Sequence, residues 1–265
     1  MGISGEAGCV VVTGGASGIG AATVERVVAG GGCAAILDLN IAPASSLARR
    51  FPGKIFPYRA NLLDEAEVRK VHAKAAVELP PIVGLVNCAG IPQVPCPIEE
   101  YTVDSWAAVI DSHLKTTYIA CRVIGAAMAE RGGGAIVNLA SVLAFRSGPV
   151  LAYGPAKAGV VNLTEALAVQ WASRGLRVNA VAPGWTDTPF LRPADRRGKR
   201  DLRPILDATP IGRLMRPEEI AEVIGFLLSP LASAVTGATI PCDGGVIAAS
   251  GWPPYGGIPR ARAPA

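Results

Sequence analysis

Histidine, aromatic residues and charge are all scarce in this chain: two His in 265 residues, 5% Phe, Trp and Tyr, and 17% charged side chains. With so few imidazoles, and with six Cys that form no Cys-x-x-Cys pair, the common zinc patterns and a disulfide framework are both disfavoured. Most of these Cys stand in apolar strand or helix stretches, which reads as buried thiols in a reducing compartment. Low charge argues against a disordered or nucleic-acid-binding chain, whereas 50% apolar residues suit a large buried sheet. Long hydrophobic runs are missing as well. The run Cys9 to Val12 is too short for a secretory signal, and residue 6 is Glu where a myristoylation signal wants Ser or Thr. The longest uncharged stretch, Val223 to Cys242, contains Pro230 and Gly237 and reads as a helix end, a turn and a strand, not a membrane span. These absences point to the cytosol and to no membrane or metal partner.

Apolar runs alternate with helical periodicity along the whole length, the pattern of repeated βαβ units in an α/β chain. Strands are expected at Cys9–Thr13, Ala34–Leu37, Ile55–Tyr58, Ile82–Asn87, Ala135–Leu139, Arg177–Val181 and Thr239–Pro241. No linker or composition break divides residues 1–265, so one Rossmann-like domain is expected: a doubly wound parallel sheet of about seven strands, order 3-2-1-4-5-6-7, with helices on both faces. Pro57 fits that order, because it cannot donate to a ladder and strand 3 is the edge. Pro155 and Gly175 bracket a long helix, and Pro217 with Glu218 and Glu219 opens another.

Gly14, Gly18 and Gly20 follow the first strand and open a helix. Such glycines let a tight turn bring backbone N–H groups against a pyrophosphate. Asp38 ends the second strand, eighteen residues after Gly20, where a carboxylate accepts hydrogen bonds from an adenosine ribose and repels a 2′-phosphate. No Lys or Arg stands at residues 16, 17, 39 or 40, so NAD is the expected cofactor.

Tyr153 and Lys157 lie one helical turn apart and project on one face. A phenol with a pKa near about 10 is a poor base at neutral pH, but a neighbouring ammonium and a positive nicotinamide ring favour phenolate. Ser141 follows an apolar strand, so its hydroxyl falls at the carboxyl edge of the sheet, where it can polarise a substrate oxygen. Singly, each reads as a surface or capping residue. In this order they point to hydride transfer between a nicotinamide cofactor and an alcohol or ketone.

From Val10 to about Val246 the chain resembles the short-chain dehydrogenase/reductase family. The matching blocks are Thr13-Gly-Gly-Ala-Ser-Gly-Ile-Gly20, Asn87-Cys-Ala-Gly90, Ser141, Tyr153-x-x-x-Lys157, Pro183-Gly-Trp-Thr-Asp-Thr188 and Asp243-Gly-Gly245. The resemblance implies catalytic Ser141, Tyr153 and Lys157, with Tyr153 and Lys157 also touching the cofactor. It adds Ser17 and Ile19 to the glycine turn, Asn61 and Leu62 beside the adenine, and Asn87, Ala89 and Gly90 along the cofactor. Pro183, Gly184, Thr186 and Thr188 would hold the nicotinamide carboxamide. The family's catalytic Asn falls on His113. Three readings of that change stand: a preserved proton relay, inert packing, or an added group titrating near about 6.5.

Between Thr188 and Pro210 lie Arg192, Arg196, Arg197, Lys199, Arg200 and Arg203 against Asp195, Asp201 and Asp207, a balance of +6 − 3 = +3. By resemblance, 188–215 is the substrate lid. Its charge steers an anionic substrate or keeps a loop soluble. Val94, Leu143, Ala144, Trp185, Phe190 and Leu191 should line an apolar pocket, favouring a hydrophobic or mixed secondary alcohol. Reduction of a 3-oxoacyl thioester or another ketone is the same chemistry reversed, and a non-catalytic dinucleotide-binding regulator is the outsider. The tail 246–265, with Trp252-Pro-Pro-Tyr255, docks on a neighbouring subunit or caps the pocket. The Tyr153 helix is apolar around much of its circumference, so its outer face should also pack against something; the resemblance implies a second subunit there, in a homotetramer or a dimer.

Overall fold

The computed structural model describes residues 8–191, 201–255 and 257–259. Seven parallel strands form one sheet in the order β3-β2-β1-β4-β5-β6-β7. They are β1 (Cys9–Thr13), β2 (Cys33–Asp38), β3 (Ile55–Arg59), β4 (Ile82–Asn87), β5 (Gly134–Leu139), β6 (Leu176–Pro183) and β7 (Thr239–Cys242). Every strand expected from the sequence is present, some extended by one to three residues. β3 pairs only with β2, so Pro57 stands on an edge and its missing N–H costs no ladder bond.

The helices are α1 (Gly18–Ala29), α2 (Ile41–Arg50), α3 (Glu65–Glu78), α4 (Val103–Ile110), α5 (Thr116–Ala120), α6 (Ala126–Glu130), α7 (Tyr153–Trp171), α8 (Arg203–Asp207) and α9 (Pro217–Leu228). The period of two along each strand divides the core between the two faces. Cys9 and Val11 of β1, with Leu85 and Ile136, pack beneath α3, the helical stretch 103–130 and the end of α7. Val10 and Val12, with Ile36, Val86 and Val137, pack beneath α1, α2 and α9. Burial on both faces is why the central strands read as unbroken apolar runs.

Helix ends follow the residues that can satisfy them. Asp64 accepts from the N–H groups of Ala66 and Glu67 to start α3, and the Glu219 carboxylate reaches back to the Arg216 N–H at 2.8 Å to start α9. α7 leads through a short 3₁₀ turn to Gly175, whose φ of 71° lets the chain reverse into β6. Cys9, Cys33 and Cys121 are buried, whereas Cys88, Cys96 and Cys242 are half-buried, and all six thiols are free. No helix among the described residues is long and apolar enough to cross a membrane.

Candidate active site

The sheet order reverses between β1 and β4, the switch point at which doubly wound sheets place a ligand crevice beyond the carboxyl ends of their strands. The turn after β1 is drawn tight. Gly14 has φ 64°, its N–H donates to Leu37 O at 2.9 Å, and a Cβ in its place would stand 2.8 Å from the Ala89 backbone. A Cβ on Gly20 would overlap the Gly14 carbonyl oxygen. Gly18, also at positive φ, packs against the Thr188 side chain, so the glycine turn meets the loop after β6. Ser17 takes the extended backbone of an N-cap at α1, and Ile19 packs half-buried on the core. A turn held this close, with a helix N-terminus behind it, fits a dinucleotide phosphate.

Asp38 sits at the end of β2. Its carboxylate accepts from the Ala16 N–H at 3.3 Å and from the Asn40 N–H at 3.0 Å, which ties the acid to the glycine turn. Asn61 is exposed and its carboxamide oxygen accepts from Leu63 N–H, whereas the Leu62 side chain turns into the core. Asn87 is buried and donates to the Asn138 carboxamide oxygen at 2.8 Å, and Asn138 in turn donates to the Thr164 hydroxyl at 2.9 Å. This buried chain ties β4, β5 and α7 together. Asn138 was not among the residues expected at the site, although a lone Asn in the apolar strand Ala-Ile-Val-Asn-Leu is a visible signal. Beyond Pro183, Thr186 donates to Gly184 O at 3.2 Å and Thr188 donates to Thr186 O at 3.3 Å, with both hydroxyls buried.

Ser141, Tyr153 and Lys157 converge beside this crevice. Ser141 follows β5 and opens a 3₁₀ turn, its hydroxyl accepting from Leu143 N–H at 3.2 Å. Burial raises the Tyr153 pKa, and the hydrogen bond to Ser141 opposes that rise. The Lys157 ammonium is buried, donates to Leu139 O at 2.5 Å and lies 5.7 Å from the Tyr153 ring centroid. Desolvation brings its pKa down to about 8.

His113 occupies a π-helical turn, Asp111–Lys115, between α4 and α5. Its Nε2 lies 2.9 Å from Ile91 O. A carbonyl only accepts, so the proton is assigned to Nε2, and the buried Nδ1 has no partner among the described residues. Burial, reinforced by the Lys157 charge, holds its pKa down to about 3. Such an imidazole stays neutral near pH 6.5, so the structure disfavours its titrating there. The ring stands edge-on to Tyr153 and lies so near Gly90 that a Cβ at position 90 would overlap it.

Phe190 closes an aromatic cluster, with ring centroids 5.9 Å from Tyr153 and 6.2 Å from His113. Leu143, Ala144 and Leu191 are half-buried and Val94 is exposed. Trp185 packs half-buried against the core beneath α1 and α9, alongside Met215. Arg203 pairs with Asp201 at 2.7 Å. Arg192, Asp195, Arg196, Arg197, Lys199 and Arg200 lie outside the described residues. Gln93 also escaped the sequence analysis: its carboxamide oxygen accepts from the backbone N–H groups of Ala152 and Tyr153.

A family model described as enoyl-(acyl carrier protein) reductase matches residues 14–247. The chain is 42% identical over 244 residues to cis-4-hydroxycyclohexanecarboxylate dehydrogenase of Sinomonas cyclohexanicum, covering 90% of this chain and 96% of that one. A crystal structure described as ribose-5-phosphate isomerase from Brucella melitensis 16M superposes with TM-score 0.92 at 40% identity, covering 96% and 97% of the two chains. The 3-ketoacyl-(acyl-carrier-protein) reductase of Brucella melitensis, complexed with NADH, superposes with TM-score 0.85 at 29% identity, covering 92% and 99%.

Proposed function

The chain belongs to the short-chain dehydrogenase/reductase family, and within it we propose an NAD(H)-dependent oxidoreductase that interconverts an apolar or mixed secondary alcohol and its ketone. Oxidoreduction at a CH–OH group is the activity its dehydrogenase relatives share. The observation that carries the assignment to this site is the meeting of Ser141, Tyr153 and Lys157 beside the glycine turn.

Gly14, Ser17, Gly18, Ile19 and Gly20 would hold the dinucleotide phosphates and Asp38 the ribose, with the Asn61–Leu62 backbone at the adenine. Asn87, Ala89 and Gly90 support the crevice floor, and Pro183, Gly184, Thr186 and Thr188 border the nicotinamide end. Bound there, a nicotinamide dinucleotide supplies the hydride acceptor or, in reverse, the donor. Tyr153 Oη takes the hydroxyl proton as the alcohol is oxidised and returns it on reduction. Ser141 Oγ donates to the substrate oxygen. The Lys157 ammonium favours the Tyr153 phenolate, which burial alone would disfavour. His113 packs against the tyrosine ring as a neutral group.

NAD is favoured over NADP because the Asp38 charge opposes a 2′-phosphate and no Lys or Arg stands at residues 16, 17, 39 or 40. The 42% identical dehydrogenase acts on a cyclic secondary alcohol, in keeping with Phe190, Leu143 and Ala144 near Tyr153. Reduction of a 3-oxoacyl thioester is the second reading, supported by the NADH-bound neighbour. An aldose–ketose isomerisation is net redox-neutral and gives the Asp38 and glycine-turn arrangement no task. Initial rates with cis-4-hydroxycyclohexanecarboxylate, cyclohexanol and a 3-oxoacyl thioester, each with both cofactors, test these readings. NADH formation from a secondary alcohol supports the first, and turnover of the thioester alone supports the second. Self-association into a homotetramer or dimer fits the exposed Val103, Tyr118 and Val169 on the helical stretch 103–130 and on α7, and the cytosol fits the free thiols.

A further inference from the structure

The first backbone N–H groups of a helix have no partner within it and must be satisfied from outside. α7 carries Tyr153 as its first residue, so the question bears directly on the tyrosine. Gly154 N–H donates to Val150 O at 3.2 Å, and Pro155 has no N–H to satisfy. The remaining two, Ala152 and Tyr153, both donate to the Gln93 carboxamide oxygen, at 3.0 and 2.9 Å. One side chain from a loop about sixty residues upstream therefore completes the start of the helix. Only the oxygen of a carboxamide accepts, so these two bonds fix which way the group is turned.

The loop bearing Gln93 is itself anchored. Ile91 O accepts from His113 Nε2 at 2.9 Å, and Ile91 N–H donates to the Ser112 hydroxyl at 3.4 Å. Just before the helix start, the Trp106 indole N–H donates to Leu151 O at 3.3 Å. The segment 151–153 is thus held by Gln93 on its N–H groups and by Trp106 on a carbonyl. Val94, one residue beyond Gln93, belongs to the expected substrate pocket.

We propose that Gln93 is a positioning residue for Tyr153: its carboxamide oxygen fixes the backbone of the proton-transferring tyrosine and ties that backbone to the loop that borders the substrate. The inference rests on the alcohol dehydrogenase reading for its kinetic test, and it has a local test that does not. Gln93→Met keeps the bulk and removes the acceptor. Gln93→Glu keeps an acceptor for both N–H groups, at a helix end that favours negative charge, and removes the NH₂ donor.

The experiment measures kcat, KM and NADH affinity for wild type and both variants, with amide hydrogen exchange at Ala152 and Tyr153 in the same proteins. In Gln93→Met, kcat is expected to fall roughly ten- to a hundredfold, the scale of a slight misplacement of a catalytic group. KM and NADH affinity should stay within about threefold, and the two amides should exchange faster. Gln93→Glu should restore slow exchange and most of kcat. Unchanged kcat in Gln93→Met, or a rise in KM in both variants with kcat intact, overturns the proposal, the latter because it makes the NH₂ group a substrate contact. If wild type oxidises no secondary alcohol, the functional reading fails, and the exchange data decide Gln93 alone: unaltered exchange in Gln93→Met sinks it.

Discussion

The His113 imidazole stands edge-on to the Tyr153 ring, with centroids 4.9 Å apart and planes at 84°. A charged ring in that position would oppose the buried Lys157 ammonium, and burial keeps it neutral. The pH–rate profile of the wild type should therefore show no inflection near pH 6.5 that His113→Asn removes. Such an inflection, present in the wild type and absent from the variant, would make His113 a titrating participant.

The same group should make the fold acid-sensitive. Folded His113 takes up its proton only at about pH 3, whereas the unfolded chain takes it up near about 6.5. Between those values the unfolded state binds the extra proton, so stability falls as pH drops through that window. From pH 7 to 5 the loss assigned to His113 is on the order of 2 kcal/mol. Urea midpoints at both pH values, compared between wild type and His113→Asn, should show a shallower pH dependence in the variant. Equal dependence would contradict the buried, neutral assignment.

Gly90 and His113 are sterically coupled. A Cβ at position 90 overlaps the imidazole, so Gly90→Ala should destabilise by about 1–3 kcal/mol, as overpacking does. Adding His113→Ala should recover much of that loss. The check is a double-mutant cycle by thermal or urea unfolding, and additive losses would count against the contact.

Replacing Tyr153 by Phe removes the proposed proton acceptor and leaves the ring. Turnover should fall roughly 10²–10⁴-fold, with NADH affinity little changed. A variant that keeps wild-type kcat would remove Tyr153 from the chemistry.

Asp38→Ser combined with Leu39→Arg replaces the acid proposed to repel a 2′-phosphate with a cation suited to accept one. The ratio of kcat/KM for NAD to that for NADP should drop at least about tenfold, a change of ~1.4 kcal/mol. An unmoved ratio would show that cofactor choice lies elsewhere.

The seven strands were legible because parallel strands buried on both faces leave apolar runs, and Pro57 marked the edge. Residues of the candidate site were legible where local spacing carries the chemistry: Asp38 at a strand end, and Tyr153 and Lys157 one helical turn apart. His113 could be named, but its neutral state depends on Gly90, Ile91 and Lys157 closing around it, and periodicity does not register such enclosure. Trp185, expected at the pocket, is half-buried and packs part of its ring on the core beneath α1 and α9, a contact that local spacing does not show. Gln93 left no trace, because a side chain capping a helix about sixty residues downstream is a product of tertiary packing alone.

Transfer of deuterium tests the central claim most directly. The enzyme is incubated with NAD and a secondary alcohol labelled at the carbinol carbon, and the recovered cofactor is examined by mass spectrometry. The account expects one deuterium in the reduced nicotinamide, at a rate that collapses in Tyr153→Phe. Ketone formed without label in the cofactor, or labelling undiminished in Tyr153→Phe, would contradict it.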